Sequence, residues 1–246
     1  MNRDLENYYA EYSKLPFENI QERYRKRKIL EWIKTENLCM QNILEVGCGE
    51  DSIFNYIEHG GLKYIIEPIK EMLSSSQNIK LSKEIHVIEN TLENVHKNLD
   101  VKFDIILVSS LIHEIKNPIE FVLRCREMLH KNGKIIIVTN NKLSIHRILG
   151  VELGILQNID SKTHTEVKMQ QFTGAFTTIE LIELIEKCKL KVSKIETFFP
   201  KILPHEKMHE ALKSGKIDSN FLDNLYSMIN YLPEFGSEII AEVVNG

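Results

Sequence analysis

The 246 residues carry 31 Lys and Arg against 35 Asp and Glu, a net charge of -4, with 43% hydrophobic and 27% charged residues. That composition suits a globular chain long enough to bury a sizeable core, and its acidic balance argues against nucleic acid as a partner, since phosphate binding calls for a basic surface. The four cysteines (Cys39, Cys48, Cys125, Cys188) form no C-x-x-C pair and have no His at metal spacing, so neither a disulfide frame nor a zinc site is expected. With no N-terminal apolar segment and no run near the roughly 18 residues of a membrane span, the expected setting is the cytoplasm, away from membranes.

In chain order, residues 4–36 read as helical, broken by Pro16, with a basic turn over 23–28 and an apolar stripe of Ile29, Leu30, Trp32 and Ile33. Strands are predicted at 42–46, 63–67, 85–88, 103–108, 134–139, 191–198 and 238–244, and helices at 52–58, 69–76, 118–130 and 178–188. Ile105-Ile106-Leu107-Val108 and Ile135-Ile136-Ile137-Val138 are continuous apolar runs, the pattern of parallel strands covered on both faces. Gly133, in Lys131-Asn132-Gly133, reads as the stop of the 118–130 helix. Two excursions interrupt the alternation: 140–175, polar and irregular, and 199–236, where Pro200, Pro204 and Pro233 surround a helical 206–230. Strands alternating with helices predict a doubly wound α/β fold, with ligands beyond the carboxyl ends of the strands.

One stretch carries the chemistry. The apolar run Ile43-Leu44-Glu45-Val46 breaks into Gly47-Cys48-Gly49, and twenty residues beyond Gly47 another apolar run ends in Glu67. Glycines after a buried strand let backbone N–H groups approach a ligand, and an acid ending the next strand can accept both hydroxyls of a ribose. A site for a nucleoside-bearing cofactor follows. A Gly-x-Gly turn without a ligand accounts for the glycines alone but not for the placement of both acids.

Five segments in order resemble the motifs of the class I S-adenosylmethionine (SAM)-dependent methyltransferases. They are Glu45-Val46-Gly47-Cys48-Gly49, Ile66-Glu67-Pro68, the loop Val87-Ile88-Glu89-Asn90-Thr91-Leu92-Glu93, the fourth-strand segment 103–115, and Leu129-His130-Lys131-Asn132-Gly133 leading into 134–138. The resemblance implies a Rossmann-like, seven-stranded, mostly parallel sheet with an antiparallel last strand and helices on both faces. An N-terminal helical lid over 1–36 would precede a SAM-binding domain over 37–246. It places Gly47, Cys48 and Gly49 beside the methionine tail of SAM and Glu45 at its ammonium. Glu67 with Pro68 meets the ribose, Thr91 or Leu92 offers an amide to adenine, and Ile69 and Leu92 form its apolar faces. Ser109 completes the cofactor set, and Arg25, with Arg23 and Arg27 as competitors, reaches the SAM carboxylate. The chain departs from the pattern at Asp51 and Ser52, where a third glycine is usual, and at Thr91, often Asp. Asp51 is thereby a further candidate contact to the SAM tail.

Methyl transfer needs a nucleophile held about 3 Å from the methyl group and, for a hydroxyl, a base. His113, just past the fourth strand, is the first candidate, since an imidazole titrates near neutrality; a helix-opening residue that bonds locally is its alternative. Glu114 either orients it or faces away. The segment Thr139-Asn140-Asn141-Lys142-Leu143-Ser144-Ile145-His146-Arg147 is the second candidate: it resembles a stretch of ubiquinone-type O-methyltransferases, which puts His146, the second candidate catalytic residue, and Arg147 on the substrate side. A surface ion pair explains Arg147 equally. Basic groups also gather at Lys142, Lys162, His164, Lys168, Lys201, His205 and Lys207, with acids interleaved. The acceptor contacts expected are Arg147 and Lys201 for an anionic molecule and Tyr9 from the lid aromatics Tyr8, Tyr9, Tyr12 and Phe17. The expected activity is in-line O-methylation of a small molecule by a monomer or homodimer without a metal, with anionic, sugar- and nucleotide-linked acceptors all open. A non-catalytic SAM-binding regulator or scaffold also stays open. An NAD-dependent reductase fits poorly, given Ser52 and the missing Tyr-x-x-x-Lys.

Overall fold

The computed structural model describes residues 4–33, 41–58, 61–75 and 84–246. The boundary expected after residue 36, the last residue of the 69–76 helix and Cys39 lie outside the described residues.

Seven strands form one sheet: β1 (Ile43–Val46), β2 (Lys63–Ile66), β3 (Ile85–Ile88), β4 (Phe103–Ser109), β5 (Leu129–Asn140), β6 (Leu190–Phe198) and β7 (Glu238–Asn245). Their order is β3-β2-β1-β4-β5-β7-β6. The pairs β1–β2, β1–β4, β2–β3 and β4–β5 are parallel, whereas β7 runs antiparallel between β5 and β6. The Rossmann-like sheet with an antiparallel last strand is therefore present as expected.

Period-two side-chain alternation splits the core between the two faces. Ile43, Ile105, Leu107, Ile136 and Val138 pack with Tyr24, Ile29, Trp32 and Ile33 of α2 (Glu18–Ile33), Met208 of α9 (His205–Lys213), and Leu222, Leu225 and Tyr226 of α10 (Ser219–Ser227). Their neighbours Leu44, Val46, Ile106, Val108, Ile135 and Ile137 pack with Phe121, Val122 and Cys125 of α5 (Pro118–Met128) and with Leu181, Leu184 and Ile185 of α8 (Thr178–Lys187). Covering on both faces is what makes these strands unbroken apolar runs.

The local differences have physical reasons. The 52–58 segment forms only a short 3-10 turn, Ile53–Asn55, capped by Ser52. Gly133 is not a helix stop: α5 ends at Met128, with Leu129 already extended and β5 beginning there. Gly133 is needed for close approach, since a Cβ there would meet the Phe103 carbonyl at 2.7 Å. The basic 23–28 segment lies inside α2, and Arg25 and Lys26 are buried on it rather than solvated. The 140–175 excursion holds α6 (Ile145–Glu152) and α7 (His164–Lys168), and 206–230 divides into α9 and α10. The short α3 (Lys70–Leu73) and α4 (Leu92–Val95) follow β2 and β3, and α1 (Leu5–Tyr12) precedes α2. No helix among the described residues is long and apolar enough to cross a membrane.

Candidate active site

The carboxyl ends of the parallel strands open on one cavity of about 1260 Å³. That exceeds the roughly 300–1,000 Å³ of a pocket for one drug-sized ligand, so there is room for two molecules side by side.

Its first half is built by β1 and β2. Leaving β1, the chain turns through Gly47 (φ +77°) and Gly49 (φ +58°), a left-handed backbone that L side chains resist. A Cβ on Gly47 would stand 3.4 Å from Leu111, and one on Gly49 would stand 3.5 Å from Glu22 Oε1. Glu45 accepts from Ile53 N at 3.0 Å and from the Ser52 hydroxyl, whose oxygen in turn accepts from Phe54 N at 3.2 Å. Ser52 therefore stands where a third glycine is usual because its hydroxyl ties the loop to Glu45. Burial pushes Glu45 up to about 7, against those two hydrogen bonds.

Glu67, at the end of β2, accepts from Ile69 N at 2.9 Å and from the amides of Gly49 and Cys48. Burial nonetheless raises its carboxyl to about 7, with Glu114 adding to the effect. Cys48 is an inert buried thiol, pushed up by burial and by the two acids. Pro68, Ile69 and Met72 on one side and Asn90, Thr91 and Leu92 on the other continue the wall. Thr91 N donates to Asn90 Oδ1 at 2.9 Å.

The second half lies along β4, β5 and β7. Ser109 ends β4, and Ser110 just after it holds φ +55°, a strained conformation at the cavity edge. His113 is 1% exposed and lines the cavity; its Nδ1 lies 3.1 Å from Thr139 Oγ1, and its carbonyl accepts from Thr173 N and Gly174 N. Asn140, Ser144, His146, Met169 and Lys201 extend the wall. His146 lies beside Lys201 and Arg147, and burial, then those two cations, hold it well below the ordinary imidazole range.

Several expected residues take other partners. Arg25 donates to Glu238 Oε1 at 2.7 Å and to Glu18 Oε1 at 3.2 Å. Burial works against its charge, but those two carboxylates outweigh burial and hold its pKa above the ordinary value. Arg147 donates to Ile159 O at 2.8 Å, Glu166 Oε1 at 3.0 Å and the Ser161 carbonyl. It clamps the 153–171 loop, so the charge expected to meet an acceptor is held by Glu166. Asp51 does not line the cavity; it holds Lys26 Nζ at 2.6 Å and accepts from Asn55 and Tyr56. Tyr9 also lies off the cavity wall, donating to Glu50 Oε1 at 3.2 Å, and Tyr8 and Tyr12 of α1 face the cavity instead. The remaining candidates, Glu45, Gly47, Cys48, Gly49, Glu67, Pro68, Thr91, Leu92, Ser109, His113, His146 and Lys201, all line one space.

Glu18, Gln21, Glu22 and Glu238 went unforeseen in the sequence. The i, i+4 spacing of Glu22 and Lys26 on α2 was an available signal; the partnership of Arg25 with Glu238, 213 positions away, had none.

Residues 44–137 match the family described as "Methyltransferase domain". The chain is 28% identical over 131 residues to the mitochondrial ubiquinone biosynthesis O-methyltransferase of Bos taurus, a match covering 50% of this chain and 35% of that protein. Over residues 44–137, then, this chain carries a methyltransferase domain. It thus spans about a third of the length of that curated relative. Among solved structures, the plantazolicin methyltransferase BamL, in complex with a triazolic desmethylPZN analog and SAH, shares its fold at TM-score 0.59 and 17% identity, covering 93% of this chain and 87% of that one. The putative methyltransferase in complex with the Haloferax volcanii Trm112 activator does so at TM-score 0.64 and 10% identity, covering 99% of each chain. The BamL structure holds SAH, the product of SAM, and the residues of this site fit the same cofactor. A glycine cradle that a Cβ would fill lies next to a buried acid at the end of β2, and an apolar wall of Ile69, Met72 and Leu92 lies beyond.

Proposed function

We propose that this methyltransferase methylates an oxygen of a small-molecule acceptor bound beside SAM in the shared cavity. The observation that carries the reading is the continuity of that cavity, from the Gly47–Gly49 cradle and Glu67 at one end to His113 and Asn140 at the other. The preference for oxygen is supported by the similarity to the ubiquinone O-methyltransferases over half the chain.

SAM, when bound, supplies an electrophilic methyl group on a sulfonium centre. The backbone of Gly47, Cys48 and Gly49 flanks its amino-acid tail. A carboxylate has about four acceptor positions and three backbone amides already meet Glu67, so one position remains for a ribose hydroxyl. Because Thr91 N donates to Asn90, Leu92 is the residue that offers an amide to adenine. Glu45 acts through the loop it shapes, by way of Ser52 and Ile53.

His113 takes the proton from the acceptor hydroxyl, its ring oriented by Thr139. The α1 helix covers the cavity as a lid. Tyr8 donates to Glu114 next to His113, Tyr9 to Glu50 next to Gly49, and Glu11 pairs with Lys168 of α7.

The test is methyl transfer from labelled SAM to a panel of phenols, hydroxy acids and sugars. His113→Gln should lower kcat by about 10²–10⁴-fold with SAM affinity unchanged. SAM binding without transfer to any acceptor would instead favour a non-catalytic binder, and an undiminished kcat would remove His113 as the base.

A further inference from the structure

Four buried cations line the cavity: Arg25, Lys26, Arg147 and Lys201. Three are committed to carboxylates: Arg25 to Glu18 and Glu238, Lys26 to Glu22 and Asp51, and Arg147 to Glu166. Lys201 is 3% exposed, and among the described residues its ammonium has neither a hydrogen-bond acceptor nor a carboxylate in ion-pair contact. Its backbone is pinned by a strained turn: Phe199 holds φ +51°, and Lys201 N donates to Phe199 O at 2.7 Å and to Ser237 Oγ at 3.2 Å. An ammonium buried without a partner costs free energy that a matched anion would recover.

The groups around it narrow the ligand. Glu18 and Arg25 face Lys201 from α2, Glu238 from β7, His146 from α6 and His205 from α9. Burial keeps both imidazoles well below their ordinary range, hence neutral, so two cations stand against two carboxylates. A single added negative charge is tolerable beside such a balanced cluster; a dianion is much less so. Place in the sheet decides between anchor and base. From β4, which carries the rim beside the glycine cradle, to β6, which leads into Lys201, is three strand positions, or about 14 Å at ~4.8 Å per strand. Even a fully extended lysine leaves the ammonium well away from a nucleophile at that rim.

We propose that Lys201 anchors a carboxylate of the acceptor at the β6–β7 end of the cavity, while the oxygen to be methylated lies at the β4–β5 rim. The inference rests on the methyltransferase reading of the same cavity and names its acceptor class: hydroxylated molecules carrying a carboxylate remote from the hydroxyl.

The experiment uses the full chain saturated with SAH and [15N]lysine, titrated by NMR with acetate, acetamide and inorganic phosphate. SAH binding is first measured by calorimetry. Acetate should shift the Lys201 resonance saturably, with acetamide and phosphate at least about tenfold weaker. Burial lowers the Lys201 ammonium to about 7. A bound anion favours its charged form, so acetate affinity should fall about tenfold from pH 8 to pH 9 with proton uptake on binding. Lys201→Met should abolish the acetate response while SAH affinity stays within about twofold. Removing a buried charge is not expected to unfold the chain, and Lys201→Gln provides a second variant. SAH binding with no saturable acetate response, or with acetamide or phosphate equal to acetate, overturns the anchor. Loss of SAH binding by the unmutated chain would overturn the methyltransferase reading beneath it.

Discussion

Replacing Glu67 with Gln separates what the acid does for the ligand from what it costs the fold. Hydrogen bonds to a charged group are worth about 1.5–3 kcal/mol each and those to a neutral one about 1. An amide facing one ribose hydroxyl should therefore lose roughly 1–2 kcal/mol, weakening SAM binding by about 5- to 30-fold. The fold responds in the opposite sense. Burial raises the Glu67 carboxyl from an ordinary 4.5 to about 7. Below pH 4.5 the acid is protonated in both folded and unfolded chains and costs nothing through ionisation. Between 4.5 and 7 the unfolded chain ionises first, so the folded state loses relative stability. Above 7 the cost is constant at about 3 kcal/mol, with each pH unit of displacement worth about 1.4 kcal/mol. Gln removes this dependence, while Glu45, raised to about 7 by the same cause, is present in both proteins and cancels. The difference in unfolding free energy between variant and parent should shift toward the variant by up to about 3 kcal/mol from pH 4.5 to pH 8, whatever its constant offset. Urea denaturation across that range, with calorimetric SAM titration at pH 8, measures both effects. SAM affinity within threefold of the parent would refute the ribose assignment, and a stability difference flat with pH would refute the burial argument.

Two further substitutions probe the two walls of the cavity. Arg147→Ala leaves the buried Glu166 without its cation and the Ile159 and Ser161 carbonyls without their donor. It should cost about 3–5 kcal/mol in denaturation and raise hydrogen exchange over 158–166; a loss below 1 kcal/mol would show that the clamp is weak. Gly47→Ala forces an L side chain to φ +77°, at about 1–2 kcal/mol, and puts a methyl group toward Leu111, so calorimetry should find SAM binding at least about tenfold weaker. Unchanged affinity would mean that the cradle does not approach the cofactor.

The sheet was legible because strands buried on both faces have no polar face to hide them, as Ile105 to Val108 and Ile135 to Val138 illustrate. The gathering of Glu45, Gly47, Gly49, Glu67 and Leu92 on one cavity was legible for a related reason: they sit within a few positions of strand ends, where spacing along the chain converts directly into position in space. The 140–175 excursion looked irregular because its helices are short, although Thr163 and Glu166 spell a capping box that could have announced α7. The start of β5 was missed because Lys131-Asn132-Gly133 is turn chemistry: β4 pairs with Leu129 and again from Lys134, and these residues fall in the irregularity between. The partners of Arg25 and Arg147 were not legible. Whether a cation is free for a ligand depends on which carboxylates arrive from elsewhere, and Glu238 reaches Arg25 only when the last strand closes the sheet.

Tyr8 and Tyr9 are consecutive residues, yet their hydroxyls fasten to separate segments: Glu114, beside His113 after β4, and Glu50, beside Gly49 after β1. With hydrogen bonds worth about 0.5–1.5 kcal/mol each, such latches release readily, but a stiff helix does not release one segment alone. Spent donor and methylated product would then share a single exit event. Turnover would gain a cover that moves as one piece, and give up the freedom to exchange one molecule while the other stays bound.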